Sequence, residues 1–434
     1  MIKRLSLLAL SAFFLGNSSV ATASDIEVSA SLQKKVIEWR RHLHANPELS
    51  NREFETAKYV TQHLKSLGID VQTNIAHTGV VGILKGGKPG PVVALRADMD
   101  ALPVTERVDL PFASKVTSEY NGQSVGVMHA CGHDTHVAIL MGVAETLAKR
   151  KNDLRGTVKF IFQPAEEGAP AGERGGAELM VEQGVLRAPK VDAIFGLHIS
   201  SKMEVGYLGY RSGGIMAAVD NFKLTVTGKQ VHGSTPWDGI DPIVASAQII
   251  NDIQSIVSRQ LPLTKNAAVI SVGSIHGGVR SNIIPQSVEL IGTIRTLDPD
   301  MRNHLHARLR EVVKHSAAVM GATTELQLPY TTHYPITYNQ PELMEQMLPT
   351  MQRVAGSDNV LLMDAITGAE DFSFFQQQVP GVYFFLGGKT KGLAPEQAPA
   401  HHTPDFYIDE SGMPLGVQVL SQMAIDYMEQ STRQ

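Results

Sequence analysis

The sequence predicts an α/β protein: a mainly parallel-sheet domain with helices on both faces, interrupted by a smaller ferredoxin-like α+β domain. Two observations carry that expectation. Between about residues 80 and 197, short continuous apolar runs alternate with longer runs at helical spacing, the pattern of buried parallel strands joined by crossover helices. Between residues 214 and 328, half-buried strand patterns and helix patterns follow one another as β-α-β-β-α-β, the ferredoxin-like split unit. The predicted division is therefore residues 24–213 and 329–434 for the larger domain and 214–328 for the inserted one.

In chain order, Lys3-Arg4, an apolar run from Leu5 to Leu15 and Ala21-Thr22-Ala23 make a secretory signal peptide over residues 1–23, so a periplasmic or secreted protein is expected. That run is too short for a permanent membrane span, and no later stretch reaches the length one needs. Val36, Trp39, Arg40 and Leu43 fall at helical spacing, with Asn46-Pro47 as the stop. Phe54, Ala57, Val60, Leu64 and Leu67 mark a second helix, closed by Gly68. Strands are expected from Val80 to Leu84 and from Val92 to Leu95, followed by a helix from Thr135 to Lys149. A strand from Thr157 to Phe162, a helix from Gly175 to Gln183 and a strand from Val191 to Leu197 complete the first alternation.

In the inserted domain, Phe222, Leu224 and Val226 share one face of a strand, and Asp241-Pro242 opens a helix. Strands from Ala267 to Ile275 and Val288 to Arg295, a helix opened by Asp298-Pro299 and a strand from Thr324 to Leu328 follow. The chain then returns to the first domain with an amphipathic stretch from Phe372 to Gln378, a buried strand from Val382 to Leu386 and a closing helix from Pro414 to Met428.

The chemistry concentrates in His129-Ala130-Cys131-Gly132-His133-Asp134-Thr135-His136, where three imidazoles, a carboxylate and the one thiol of 434 residues occupy eight positions. Such density of borderline and soft donors points to a metal. A single cysteine forms no internal disulfide, and ligation or burial would protect its thiol. Asp98 and Asp100, Glu166 and Glu167, and His198 each follow a predicted strand end, where open α/β sheets bind ligands. Cys131, His133, Glu167, His198 and His402 exceed the four donors of one structural zinc, so an open catalytic ion or a two-ion cluster is expected. Glu166 beside Glu167 offers a base for water and an acid for a leaving amine. Asp100 is placed to hold a ligand histidine in its tautomer, and Asp98 either does likewise or pairs with Arg96. A net charge of -5 without a basic cluster argues against nucleic acid.

Several stretches carry a family resemblance: Arg41-His42-Leu43-His44, Arg96-Ala97-Asp98-Met99-Asp100-Ala101-Leu102-Pro103, Met128 to Asp134, Gln163-Pro164-Ala165-Glu166-Glu167-Gly168, Gly196-Leu197-His198, Gly277-Gly278, Asn282-Ile283-Ile284-Pro285 and Glu370-Asp371-Phe372. In that order they resemble the dinuclear metallo-amidohydrolases and peptidases that include aminoacylase-like enzymes, bacterial hippurate hydrolases and plant auxin-conjugate hydrolases. The resemblance implies that Cys131, His133, Glu167, His198 and His402 hold the metal and that Glu166 is the general base. It also implies a lid and dimerisation role for the inserted domain, with His232 and Asn282 near substrate, in some members across a dimer interface. Where the family has one histidine near the C-terminal turn, this chain has His401 and His402; His402, two positions before Pro404, fits the motif.

The expected activity is hydrolysis of the amide bond of N-acyl amino acids with two divalent ions, and the donor set admits zinc, manganese, cobalt or nickel. The expected partners are a small-molecule substrate and a second copy of the chain. Two alternatives are a metallo-dipeptidase or carboxypeptidase, differing only in the pocket, and a non-catalytic periplasmic metal- or peptide-binding protein, against which Glu166 argues.

Overall fold

The computed structural model describes residues 25–432. The expected signal peptide, residues 1–23, lies outside the described residues. The larger domain is built on an eight-stranded sheet in the order Asp70–Ile75, Gly79–Lys85, Arg155–Gln163, Lys88–Asp98, Ala193–Glu204, Gly381–Lys389, Leu208–Tyr210, Val360–Leu362. Its centre, from Arg155–Gln163 to Gly381–Lys389, is parallel throughout. Antiparallel pairing enters at the margins, through Asp70–Ile75, Gly79–Lys85 and Leu208–Tyr210. Burial explains the difference in legibility. Every residue of Gly381–Lys389 is buried, which demands an unbroken apolar run, whereas Asp70–Ile75 is mostly exposed and reads as polar chain.

Alternate residues of the central strands face opposite layers. Val93, Leu95, Phe160, Phe195 and Phe384 meet the helices Ala30–Ala45, His133–Lys149, Pro341–Ala355 and Met413–Gln430. Ala94, Ile161, Ile194 and Tyr383 meet the shorter Gly176–Glu182 and Ser373–Gln376. His133–Lys149 lies sandwiched in its layer, buried on all sides from residue 133 to 147. Pro341–Ala355 carries no clean sequence mark because Pro349 interrupts its interior, although Leu343, Met344, Met347 and Met351 are buried.

The inserted unit is a five-stranded antiparallel sheet: four strands ordered Ala268–Gly277, Ser287–Thr296, Ala218–Thr227, Thr323–Gln327 form the ferredoxin-like arrangement, and the short His333–Tyr334 pairs with the start of Ala218–Thr227. Asp241 and Asp298 cap its helices Pro242–Gln260 and Pro299–Val319, each carboxylate accepting two backbone amides. Phe222, Leu224 and Val226 pack against Ile249, Ile253 and Leu305, in a core drawn wholly from residues 222–328. The opposite face of this sheet turns Val219, Asn221 and Arg295 into a cleft between the two units. Among the described residues no helix is long and apolar enough to cross a membrane.

Candidate metal centre

Three strand ends and two loops converge at the carboxyl edge of the parallel sheet. His198 lies in Ala193–Glu204, Asp98 ends Lys88–Asp98, and Glu166-Glu167 follow Arg155–Gln163. Gly132 turns the chain into the helix that begins at His133. It sits at φ +97°, and a Cβ there would lie 2.3 Å from Ile199 Cγ2, so glycine is required for this approach.

Cys131 Sγ is 3.4 Å from His198 Nε2 and 3.3 Å from His402 Nε2. His402 Nε2 is 3.1 Å from Glu167 Oε1, and His133 Nε2 is 3.8 Å from Glu166 Oε2 and 3.9 Å from Glu167 Oε1. Of the five groups of potential donors among the described residues, two contain the thiol, Cys131 with His133 and His198, and Cys131 with Glu167 and His402.

The tautomers are set by backbone carbonyls, which only accept. His133 Nδ1–H donates to Asp100 O at 2.8 Å and His198 Nδ1–H to Ile199 O at 2.6 Å, leaving each Nε2 with a lone pair aimed into the cluster. His133 Nε2 is buried with no hydrogen-bond partner. His136 is spent: its Nδ1 donates to Asp98 Oδ1 at 2.6 Å and its Nε2 accepts the Ile199 amide at 2.8 Å. His401 is spent likewise, donating to Cys131 O and accepting from the Ser201 amide, each at 3.2 Å. Of the two adjacent histidines it is His402, at φ +63° and pinned by its amide to Ala130 O, that faces the cluster.

Asp100 stands beside His133 as expected, its carboxylate Oδ1 3.3 Å from the ring Nδ1, and does more besides. Its backbone carbonyl orients His133, while its carboxylate accepts the Glu166 and Glu167 amides at 3.0 Å each and the Ser50 hydroxyl at 2.7 Å. Asp98 pairs with Arg96, taking Nη1 at 2.6 Å, and its other oxygen bonds His136, which is not among the expected ligands. Fully buried Arg96 also donates to Glu370 and Asp371 at 2.9 Å, and the Tyr383 hydroxyl donates to Glu370 at 2.7 Å. Sequence reasoning marks Glu370-Asp371 as a motif without a role and misses Glu53, whose buried carboxylate accepts the Ala165 amide at 2.9 Å. Tyr334, at the crossing from the inserted unit, donates its hydroxyl to Glu166 O at 2.9 Å. His232 and Asn282 lie together on the inserted domain, exposed, and neither lines the cleft of their own chain.

Charge in this pocket is lopsided. Burial and the neighbouring carboxylates of Glu370 and Glu167 hold Glu166 well above the usual carboxylate range. Burial, Glu167 and Glu166 push the Cys131 thiol up as well. Burial opposes a charge on His133, yet Asp98 and Asp100 bring it up to about 10. A site with a surplus of acidic groups, an unpartnered His133 Nε2 and a thiol facing two imidazoles fits divalent cations, which would displace the protons of the thiol and of His133.

The sequence profile of peptidase family M20/M25/M40 matches residues 94–426. The chain is 44% identical over 393 residues to thermostable carboxypeptidase 2 of Saccharolobus solfataricus, covering 90% of this chain and 95% of that one. It is 37% identical over 397 residues to N-acetylcysteine deacetylase of Bacillus subtilis, covering 91% and 97%. A solved Bacillus subtilis protein described as a dinuclear metal binding peptidase from the M20 family superposes with a TM-score of 0.76 at 35% identity, over 92% of this chain and 99% of that one. With the match running from the central sheet to the closing helix and including every proposed donor, the chain belongs to peptidase family M20/M25/M40.

Proposed function

We propose that this protein is a metal-dependent amidohydrolase that cleaves the amide bond of N-acyl amino acids, with Glu166 as general base. Cys131, His133, Glu167, His198 and His402 would hold two divalent ions. The observation that carries this reading is the convergence of Cys131, Glu167, His198 and His402 on one cleft together with Glu166, with His133 Nε2 buried and unpartnered behind them. The similarity to N-acetylcysteine deacetylase supports the N-acyl substrate. Arg295 supports a substrate carboxylate: it is half-buried in the cleft and, among the described residues, makes no ion pair or side-chain hydrogen bond.

When bound, the ions supply Lewis acidity to the acyl carbonyl and to water. The chain does the rest. Glu166 takes the proton of the attacking water and delivers it to the leaving nitrogen, so that the amine departs neutral. Asp100 fixes Glu166 and Glu167 through their amides, and the buried arginine at 96 anchors the Glu370 and Asp371 carboxyl groups behind them. His232 and Asn282 reach substrate from a second copy, since their own cleft does not contain them; this supports a homodimer built through the inserted domain. The basic start and apolar run at residues 3–15 support export.

The similarity to a carboxypeptidase keeps a second substrate class, short peptides, in view. Glu166→Ala tests the central claim. Turnover of N-acyl amino acids should fall by about 10²- to 10⁴-fold, with metal content by elemental analysis close to wild type; full activity in that variant would remove Glu166 from the reaction. Parallel assays with N-acetyl amino acids and dipeptides of the same residue separate the two substrate classes.

A further inference from the structure

The cleft of about 990 Å³ is far larger than an acetyl group requires, and one of its walls is apolar. That wall grows directly from the metal centre. Phe385 is the cross-strand partner of His198, their rings 6.0 Å apart, and beyond Phe385 the strand Leu208–Tyr210 brings Gly209 opposite it. Gly209 has a negative φ, so its backbone conformation does not demand glycine. Space does. A Cβ there would lie 2.5 Å from Met203 Cε, 3.0 Å from Met363 Sδ and 3.5 Å from Phe385 Cβ. The missing side chain lets both thioethers lie down on the strand, and Met216 and Ile366 extend the surface. Met203 and Met363 remain half-buried, facing the cleft.

Resting on the amidohydrolase reading, we infer that Met203, Met363 and Phe385, seated over Gly209, form the acyl pocket and set the size of the acyl group this enzyme prefers. The acyl carbonyl has to turn its oxygen toward the centre that His198 helps build. The substituent on the acyl carbon then runs along the strand neighbour of His198, which is this wall. Unbranched thioethers adapt to apolar shapes without fixing one, so the pocket takes medium-chain and aromatic acyl groups rather than a single ligand outline. Covering the wall would otherwise require ordered water on apolar surface.

The test is a series of acyl derivatives of one amino acid, acetyl, butanoyl, hexanoyl and benzoyl, assayed by amine release with the metal-loaded full-length enzyme. The expected kcat/KM rises along the series, reaching about 10- to 100-fold over acetyl for hexanoyl and benzoyl. Gly209→Ala lifts the methionines into the pocket and should lower the hexanoyl-to-acetyl ratio by about tenfold. Met363→Ser, at a half-buried position, should lower the same ratio and serves should the glycine variant fail to fold; metal content and thermal midpoint establish that each variant is intact. Release that ignores acyl size, or a ratio unmoved in folded variants, overturns the pocket while leaving the hydrolase in place. Release from no member of the series overturns both.

Discussion

His401 and His402 are neighbours in sequence and opposites in use. Both ring nitrogens of His401 are occupied by backbone groups, and the half-buried residue packs its ring beside His198 and Phe406. His402 keeps its Nε2 for Cys131 and Glu167, and the Glu167 carboxylate raises it above the ordinary imidazole value. The two alanine variants should therefore fail differently. His402→Ala is expected to lower the number of ions bound per chain, read by elemental analysis. His401→Ala leaves the Ser201 amide without its acceptor and should lower stability by about 1–3 kcal/mol in chemical denaturation, with ion stoichiometry less affected. Equal loss of metal in both variants would mean that the two rings are interchangeable. The pattern before Pro404 selects the residue that faces the cluster, but the reason, that His401 is consumed by backbone groups, lies outside any spacing rule.

At the scale of elements, the inserted domain ties its central strand to a helix by charge. Asp220, in Ala218–Thr227, accepts from Arg302 at 2.8 and 2.6 Å and from His306 at 3.0 Å, both on Pro299–Val319. Burial alone would raise this carboxyl, yet these partners hold it at about 2 against an ordinary value of 3.8. A carboxylate depressed in the folded state stabilises it above the unfolded value, and that contribution is lost as pH falls from about 4 to about 2. The difference corresponds to about 2 kcal/mol. Asp220→Asn should lower the unfolding free energy near neutral pH by that order and flatten the acid limb of the stability profile between pH 4 and 2. An unchanged acid limb would show that the pair contributes nothing net. The caps of the same domain, Asp241 and Asp298, are legible from sequence because Asp-Pro before an apolar run has few other uses. Asp220 is not, since its partners stand more than eighty positions away.

For the whole molecule, the ions would belong to the folded state because their proposed donors come from four separate stretches of chain, at 131–133, 167, 198 and 402. Chelation should lower the thermal midpoint together with activity, and both should return with added zinc or manganese; at a hundredfold excess over Kd the native state gains about 2.7 kcal/mol per site. An unaltered midpoint after verified metal removal would place the ions outside the structural core. The second whole-molecule expectation concerns the partner copy. Glu166→Ala and His232→Ala are each expected to be nearly inactive, and subunits exchanged from a mixture of the two should recover about a quarter of wild-type activity, since half the dimers are mixed and each carries one complete site. No recovery, with exchange shown by mass spectrometry, would confine each site to one chain.

The sequence alone determined the central parallel strands, the ferredoxin-like insertion and the candidate donors Cys131, His133, Glu167 and His198, because burial on both faces and metal ligation each restrict residue type at local spacing. Only the tertiary structure decided that Asp100 clasps the Glu166 and Glu167 amides, that His136 and His401 are already spent, and that His232 and Asn282 stand apart from the cleft of their own chain. The same holds for the methionine wall over Gly209. A residue type states what a group can bond; which partner it meets depends on distances between segments that local pattern does not encode.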